Sequence, residues 1–169
     1  MTITEAKFNT FTEKDRMNRT LEGIAYWAHV QKPKHSEKYK TDTFQINVGL
    51  DEAGIKRAES YGLEVKPADK WNDMPYVTIQ RKVRPGKTIA ETKPDVVDSM
   101  QNPADVLIGN GSTVVVKFGT YFFGDKVRTT LFKVQIRKLV AFEGASGGLV
   151  KDASGYQAGQ ATGTDGFDD

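Results

Sequence analysis

The chain has 169 residues, 38% of them hydrophobic, with no cysteine and two histidines, His29 and His35. This composition excludes disulfides and thiolate metal sites, supplies little for a histidine-based catalytic relay, and contains no apolar run of the roughly 18 residues that a membrane-spanning helix needs. The first 151 residues carry a net charge of +6 and the last 18 carry −4, a division that favours a polyanion-binding body with a tail that competes for the same surface.

Five segments alternate between apolar and polar residues with a period of two, which predicts half-buried β-strands. In chain order they are Leu21–Val30, Tyr39–Leu50, Pro75–Arg84, Thr113–Phe123 and Thr129–Phe142. The first strand is predicted to place Ile24, Tyr26, Ala28 and Val30 on one face, and Ala25, Trp27 and His29 on the other. The predicted core of the other four contains Phe44, Ile46, Val48, Leu50, Val77, Ile79, Val83, Val114, Val116, Phe118, Phe122, Phe132, Val134, Ile136, Val140 and Phe142.

A short helix is predicted between the second and third strands. Asp51 is a suitable N-cap, Ile55 and Ala58 form an apolar stripe, and Gly62 is a suitable C-terminal stop. The later segment Lys87–Ser112 is rich in Pro, Asp, Asn and Gly, and is expected to hold a brief strand at 96–97 and a turn at 109–111.

These elements predict an all-β domain with one short helix, namely a five-stranded OB-fold barrel, which ranks ahead of an immunoglobulin-like sandwich. Residues 1–143 are expected to form this domain. Residues 144–169 are rich in Gly, Ser, Ala and Asp and poor in large apolar residues, so a flexible acidic tail is expected there.

The predicted outward faces combine cations with aromatic rings, the mixture that single-stranded nucleic acid requires. Lys and Arg neutralise phosphates, and rings stack on exposed bases without sequence preference. The candidate DNA-binding residues are Lys32, Lys34, Tyr39, Lys40, Tyr76, Lys82, Arg84, Lys117, Tyr121, Phe123, Arg128, Lys133 and Arg137.

A structural interpretation competes at several aromatic and basic positions. Tyr39 and Tyr76 are also ordinary strand formers, and Trp27 and Trp71 fit a core or a barrel cap equally well. The basic loop that contains His35 is also typical of a solvated surface, with His35 as a bystander.

Catalytic and cofactor motifs are missing from the sequence. It has no glycine-rich phosphate loop followed by Lys and Ser/Thr, no H-E-x-x-H and no recognisable Ser-His spacing. The run Gly109–Ser112 precedes a predicted strand rather than a helix, so it is interpreted as a turn. We therefore expect a non-catalytic protein without cofactor or metal.

Three stretches together resemble the single-stranded DNA-binding proteins of short-tailed coliphages and their relatives. The most specific is VVDSMQNPADVLIGNGSTVVVKFGTYFF at 96–123, with a V-V-D-S strand, an I-G-x-G-S turn and a Lys-bearing strand. AYWAHVQKPKHSEKYKTDTFQINVGL at 25–50 is similar to the first two strands, and LFKVQIRKLVAFEGASGG at 131–148 to the last. Order and spacing carry the resemblance, which covers about two-thirds of the chain.

The resemblance implies an OB fold, sequence-independent coating of single-stranded DNA during phage replication and recombination, and no catalytic activity. Lys117 and Phe123 match positions where a basic residue and a ring lie in the binding cleft, and Lys40 belongs to a Tyr-Lys pair. It also implies a homodimer and contacts with phage DNA polymerase and helicase-primase, made through a tail that here contains Asp165, Phe167, Asp168 and Asp169. The expected location is the cytoplasm of an infected bacterium.

This chain departs from the family pattern in two places. Its tail, GTDGFDD, is short and has Phe167 two residues before the end, whereas family tails are longer, more acidic and end on an aromatic residue. The insertion after the helix is reduced to 63–74. Two other functions stay open from the residues alone: a structural or protein-interaction β-domain such as a virion component, and an RNA-binding OB domain.

Overall fold

The computed structural model of the chain describes residues 3–68 and 73–141. Within these ranges the β-strands are β1 (Arg19–Ser36), β2 (Thr41–Gly49), β3 (Tyr76–Lys82), β4 (Asp95–Val97), β5 (Thr113–Phe123) and β6 (Lys126–Lys138). The helices are α1 (Glu5–Phe8), α2 (Glu13–Arg16), α3 (Glu52–Ser60) and α4 (Ile89–Thr92). None of these helices is long and apolar enough to cross a membrane.

The strands form one sheet in the order β3-β2-β1-β5-β6-β4, with parallel pairing only between β4 and β6. The backbone N–H of Gln80 on β3 donates to the Thr129 hydroxyl on β6 at 3.0 Å, so the two sides of the sheet meet. The strand order 3-2-1-5-6, closed between β3 and β6, is the OB arrangement with β4 added outside it. The predicted all-β OB fold is therefore confirmed, and the brief strand expected at 96–97 joins the sheet as β4.

The core lies inside this barrel and contains most of the residues that the alternation predicted. Phe44, Ile46 and Val48 on β2, and Ile79 on β3, are completely buried. On β5 Val114, Val116 and Phe118 of the predicted inward set are also buried, and Phe122 is half-buried. Strict alternation holds along β2 and β5 because the extra residues of their bulged pairings lie on the partner strands β1 and β6.

The predicted faces of β1 are wrong in its first half. Leu21 and Ala25 are buried together with Val30, so Ala25 points into the core rather than away from it. The pairing with β2 shifts register between Tyr26 and His29, and Trp27 has a positive φ of 48°. A β-bulge therefore inserts an extra residue and reverses the alternation beyond it.

A second bulge corrects the prediction for β6. Lys117 pairs with Lys133 but Phe118 pairs with Leu131, which leaves Phe132 as the additional residue. Leu131 is completely buried in the place predicted for Phe132, which is half-buried. The predicted core residue Val140 is exposed beyond the end of β6, and Phe142 lies outside the described residues.

The predicted helix is confirmed as α3. The Asp51 carboxylate accepts a hydrogen bond from the Gly54 N–H at 2.8 Å, and Ala58 is buried. Gly62 follows with a φ of +86° and packs against Ile3 and Val127, a conformation and a close approach that favour glycine. The other three helices are single turns, too short to show an apolar period in the sequence.

Residues 3–18, which include α1 and α2, lie across one end of the barrel and are called the N-terminal cap. Its Phe8 is 3% exposed and belongs to the hydrophobic core. The side-chain hydroxyls of Thr4 and Thr12 cap the two helices by accepting from the N–H groups of Lys7 and Asp15. Neither a strand nor a helix is predicted for this segment from its sequence.

Candidate nucleic-acid interface

A cleft of about 650 Å³ opens between the end of β3, α4 and the hairpin formed by β5 and β6. It lies beside the barrel closure, because Gln80 and Thr129, which join β3 to β6, are among its lining residues. Five of the predicted DNA-binding residues line it, namely Lys82, Arg84, Tyr121, Phe123 and Arg128. The rest of the lining consists of Thr41, Gln80, Arg81, Val83, Pro85, Lys87, Glu91, Thr92, Thr129 and Thr130.

The β5–β6 hairpin supplies the rings of the cleft. Tyr121 is 39% exposed and Phe123 is 64% exposed. Arg128 is the register partner of Tyr121, and its guanidinium carbon lies 5.6 Å from the centroid of the Phe123 ring. Gly124 has a φ of +72° and turns the chain between the two strands. The hairpin therefore presents two rings and a cation side by side.

The end of β3 and the following turn supply most of the positive charge. Lys82 is the last residue of β3, and the Lys87 N–H returns to the Arg84 carbonyl at 3.0 Å. The guanidinium of Arg81 lies 5.8 Å from the centroid of the Phe132 ring. Phe132, the extra residue of the β6 bulge, therefore lies next to a cation of the cleft lining.

The lining carries five cations, Arg81, Lys82, Arg84, Lys87 and Arg128, and one carboxylate. That carboxylate, Glu91, is engaged in the capping box of α4, where it accepts from the Thr88 N–H at 2.7 Å. Among the described residues the ion pairs within 4.0 Å all lie at the turn between β1 and β2. The cleft cations are therefore available to an external anion.

Arg128 is the most constrained of these cations. Its Nε is buried and has no hydrogen-bond partner in the described part of the chain. A buried donor without a partner costs about 1–3 kcal/mol. The guanidinium is thus held against Phe123 at the expense of its own hydrogen bonding.

Lys32 and Lys34 lie on the last part of β1, which continues to Ser36 through half of the predicted basic loop, and Tyr39 and Lys40 follow in the turn to β2; all four are exposed. Tyr39 and Lys40 belong to the turn 37–40 rather than to β2, which corrects the predicted start of that strand. Lys40 precedes Thr41 of the cleft lining, so the turn adjoins the cleft. Its cations, however, do not line it.

Lys40 and His35 are ion-paired at this turn, whereas Lys32, Lys34 and Lys38 have no ion pair among the described residues. Lys40 Nζ lies 3.3 Å from the Glu37 carboxylate, and the His35 ring lies 3.0 Å from Glu37 and 2.8 Å from Asp42. The hydrogen bond to Asp42 raises the pKa of His35 above its ordinary value, with further support from the charge of Glu37. The opposite shift occurs at His29, where burial and then the charge of Lys34 lower the pKa.

The other predicted residues lie apart from the cleft. Tyr76 is at the opposite end of β3 from Lys82, where the Lys66 ammonium is 5.8 Å from the centroid of its ring. Lys117 and Lys133 are register partners, and the Lys133 ammonium is 3.4 Å from the Gln101 side-chain oxygen. Arg137 is exposed near the end of β6.

Arg81, Lys87 and Thr41 line the cleft but were not among the predicted site residues. Arg81 has the same parity along β3 as the core residues Val77 and Ile79, so alternation assigned it inward. Lys87 lies in a turn, for which the strand pattern makes no assignment. The tail residues Asp165, Phe167, Asp168 and Asp169, together with Trp71, lie outside the described residues. No group of His, Cys, Asp or Glu within 3–68 and 73–141 could hold a metal ion.

Several solved structures share this fold, although no protein-family model matches the chain and no curated protein matches it. The single-stranded DNA-binding protein of bacteriophage Enc34, in complex with single-stranded DNA, matches with a TM-score of 0.52 and 14% identity, covering 74% of this chain and 88% of that one. The single-stranded DNA-binding protein gp2.5 encoded by bacteriophage T7 matches with a TM-score of 0.49 and 18% identity, covering 76% and 91%. Both have the OB fold. At 14% identity the match to the Enc34 protein shows the fold of this chain.

Proposed function

We propose that this chain is a non-catalytic protein that binds single-stranded DNA without sequence preference. The cleft carries the proposal, because it sets the exposed rings of Tyr121 and Phe123 beside five cations that no described carboxylate pairs with. Bases would stack on the two rings, and phosphates would contact Arg81, Lys82, Arg84, Lys87 and Arg128.

Sequence independence follows from the same groups. Rings accept the face of any base, and ammonium and guanidinium groups contact the backbone that all bases share. The Enc34 protein, which shares the fold, was solved in complex with single-stranded DNA, which supports this choice of ligand over a protein partner.

A titration tests the proposal directly. Fluorescence anisotropy of a labelled oligo(dT) of about 20 nucleotides, longer than the ~4–16 that one OB fold contacts, would be measured over a series of salt concentrations. Three to five phosphate contacts predict a slope of log affinity against log salt of about −2 to −3.5. No salt-dependent binding at low ionic strength would reject the proposal and favour the protein-interaction alternative.

Competition with matched unlabelled strands would define the ligand. Oligo(dT) is expected to displace the label more effectively than duplex DNA of the same length, whose bases are not available for stacking. An equal or stronger effect of oligo(U) would instead identify an RNA-binding domain, because the 2′-hydroxyl is the group that distinguishes the two strands.

The proposed biological role is to coat and protect single-stranded DNA during phage replication and recombination, in the cytoplasm of an infected bacterium. In this role the acidic tail docks the phage DNA polymerase and helicase-primase, and the protein acts as a homodimer. Deletion from Gly163 onward is expected to tighten oligo(dT) binding at low salt and to weaken stimulation of the polymerase. Unchanged affinity would argue against a competing tail.

A further inference from the structure

The N-terminal cap packs directly behind the rings of the cleft. The Phe8 ring lies 5.9 Å from the Phe122 ring, centroid to centroid. Phe122 stands between Tyr121 and Phe123 on β5, and successive side chains of a strand point to opposite faces. Phe122 is partly buried against the core, whereas its two neighbours are exposed in the cleft. The cap therefore supports the back of the strand whose front carries the rings.

Further contacts attach the cap to the same stretch of β5. The Thr120 hydroxyl donates to the Arg16 carbonyl oxygen at 3.0 Å. The neighbouring Gly119 leaves room for Met17, whose sulfur would lie 3.1 Å from a Cβ at that position. Gly119, Thr120 and Phe122 therefore contact the cap, and Tyr121 lies between two of them.

A buried arginine holds the cap against the barrel. Arg19, the first residue of β1, is 8% exposed, and its guanidinium carbon lies 4.7 Å from the Phe11 ring centroid and 4.6 Å from that of Tyr61. Burial lowers the pKa of Arg19. Phe11 belongs to the cap and Tyr61 follows α3, so the guanidinium joins the two through cation–π contacts.

The hairpin needs such support because it extends past the end of β1. The pairing between β1 and β5 ends at Arg19 and Phe118, so residues 119–123 have β6 as their only strand partner among the described residues. A two-stranded hairpin is marginally stable by itself in water. The cap packs against this stretch, which has no third strand beside it in the described part of the chain.

We infer that the N-terminal cap is a positioning element of the nucleic-acid cleft, in which Phe8 acts through Phe122 to hold Tyr121 and Phe123 where bases stack on them. This inference rests on the proposed function. Phe8 itself is buried and does not line the cleft, so its contribution to binding is indirect.

A double-mutant cycle tests the inference. Oligo(dT) affinity would be measured for the wild-type protein, Phe8→Ala, the ring-deficient variant Tyr121→Ala/Phe123→Ala, and the triple variant. We expect Phe8→Ala to weaken binding by about tenfold in the wild-type background and by less than about twofold in the ring-deficient one, since coupled residues give non-additive effects. Equal effects in the two backgrounds would overturn the inference, as would unchanged affinity of the ring-deficient variant.

Three further variants separate positioning from general loss of stability. Phe8→Leu keeps an apolar side chain in the cap and is expected to restore most of the affinity. Thr120→Val removes the bond to Arg16 with little change of volume and is expected to weaken binding in the same direction, which covers the case in which Phe8→Ala does not fold. Ile108→Ala, a core truncation beside Ala141 and away from the hairpin, is expected to lower the melting temperature without changing affinity.

The outcomes also distinguish this inference from the proposed function. If the wild-type protein does not bind oligo(dT), the proposed function fails and the inference fails with it. If the wild-type protein binds, the ring-deficient variant binds weakly and Phe8→Ala binds as the wild type does, the inference fails and the proposed function stands.

Discussion

Two hairpins of this barrel carry rings and cations, and they differ in what surrounds those groups. At the β1–β2 turn Tyr39 is 68% exposed and the Lys40 ammonium is paired with Glu37. At the β5–β6 hairpin Phe123 is nearly as exposed, at 64%. A cation lies over each ring, namely Lys38 at 5.2 Å from the Tyr39 centroid and Arg128 at 5.6 Å from the Phe123 centroid. The first hairpin has one of its lysines paired and lies outside the cleft, whereas the second lies in the cleft together with the cations at the end of β3.

The comparison shows that the same aromatic and basic residue types occur both inside the cleft and outside it. Lys32, Pro33 and Lys34 lie on a part of β1 that pairs only with β2 among the described strands. Lysine and proline on such an edge protect it from pairing with another chain. The same residue types therefore have a structural explanation at the β1 edge, whereas in the cleft the proposed function explains them.

The largest expected effect separates the rings of the two hairpins. Phe123→Ala removes a stacking partner, and we expect oligo(dT) affinity to fall by about 5- to 150-fold, from the roughly 1–3 kcal/mol that one stacked base contributes. The matched variant Tyr39→Ala, also an exposed ring, is expected to change affinity by less than about twofold. Anisotropy titrations would measure the affinity of both variants. The contrast between the two hairpins would be wrong if Tyr39→Ala lowered the affinity as much as Phe123→Ala.

A smaller effect separates the cations. Arg128→Gln is expected to reduce the magnitude of the salt slope by about 0.7, the value of one phosphate contact on a single strand. Lys40→Gln is expected to leave the slope almost unchanged, because Lys40 is paired with Glu37 and lies outside the cleft. Equal slopes for the two variants would show that the turn contacts phosphates as the cleft does.

A third prediction concerns the β1 edge. Replacing Lys32 and Lys34 by Thr and Pro33 by Val removes its protection, so we expect self-association that increases with protein concentration. Affinity for oligo(dT) is expected to stay within about threefold, the effect of weak long-range attraction. Sedimentation velocity would measure the association. A monodisperse variant with strongly reduced DNA affinity would instead give these residues a direct role in binding.

The smallest expected effect concerns the pKa values of the two histidines of β1, His29 and His35. The hydrogen bond to Asp42 raises the pKa of His35 above 6.5, and burial lowers that of His29 below it. His35 therefore contributes stability that is present below pH 6.5 and is lost as the pH rises through its folded pKa. His29 contributes stability that is present above pH 6.5 and is lost as the pH falls through its folded pKa. An NMR titration would show His29 titrating at the lower pH, and Asp42→Asn would return His35 towards 6.5; the reverse order would contradict this account.

Much of the fold was predictable from the sequence. Alternation located five strands and most of their core residues, and capping chemistry located α3 between Asp51 and Gly62. These signals are local, since they depend on residues within one strand or one helical turn. The errors occurred at Trp27 and Phe132, where bulges change the parity of a strand and the sequence carries no mark of the extra residue.

The candidate site was predictable only in part. The sequence singled out Lys82, Arg84, Tyr121, Phe123 and Arg128, but also Tyr76, Lys117, Lys133 and Arg137, which lie elsewhere on the barrel. It missed Arg81, whose parity matched the core. Each of these residue types can bind nucleic acid. Which of them lie close together depends on the distances between strands, and the type of a residue does not determine those distances.

The sequence by itself therefore determined the class of the domain, the composition of its core and its supply of rings and cations. Only the tertiary structure decided which of them meet, because the cleft joins the end of β3 to a hairpin about 40 residues later through the barrel closure at Gln80 and Thr129. It also placed Phe8 behind Phe122, a contact that spans more than a hundred residues of the chain. Periodicity records the two faces of a strand, whereas closure and packing determine what each face is next to.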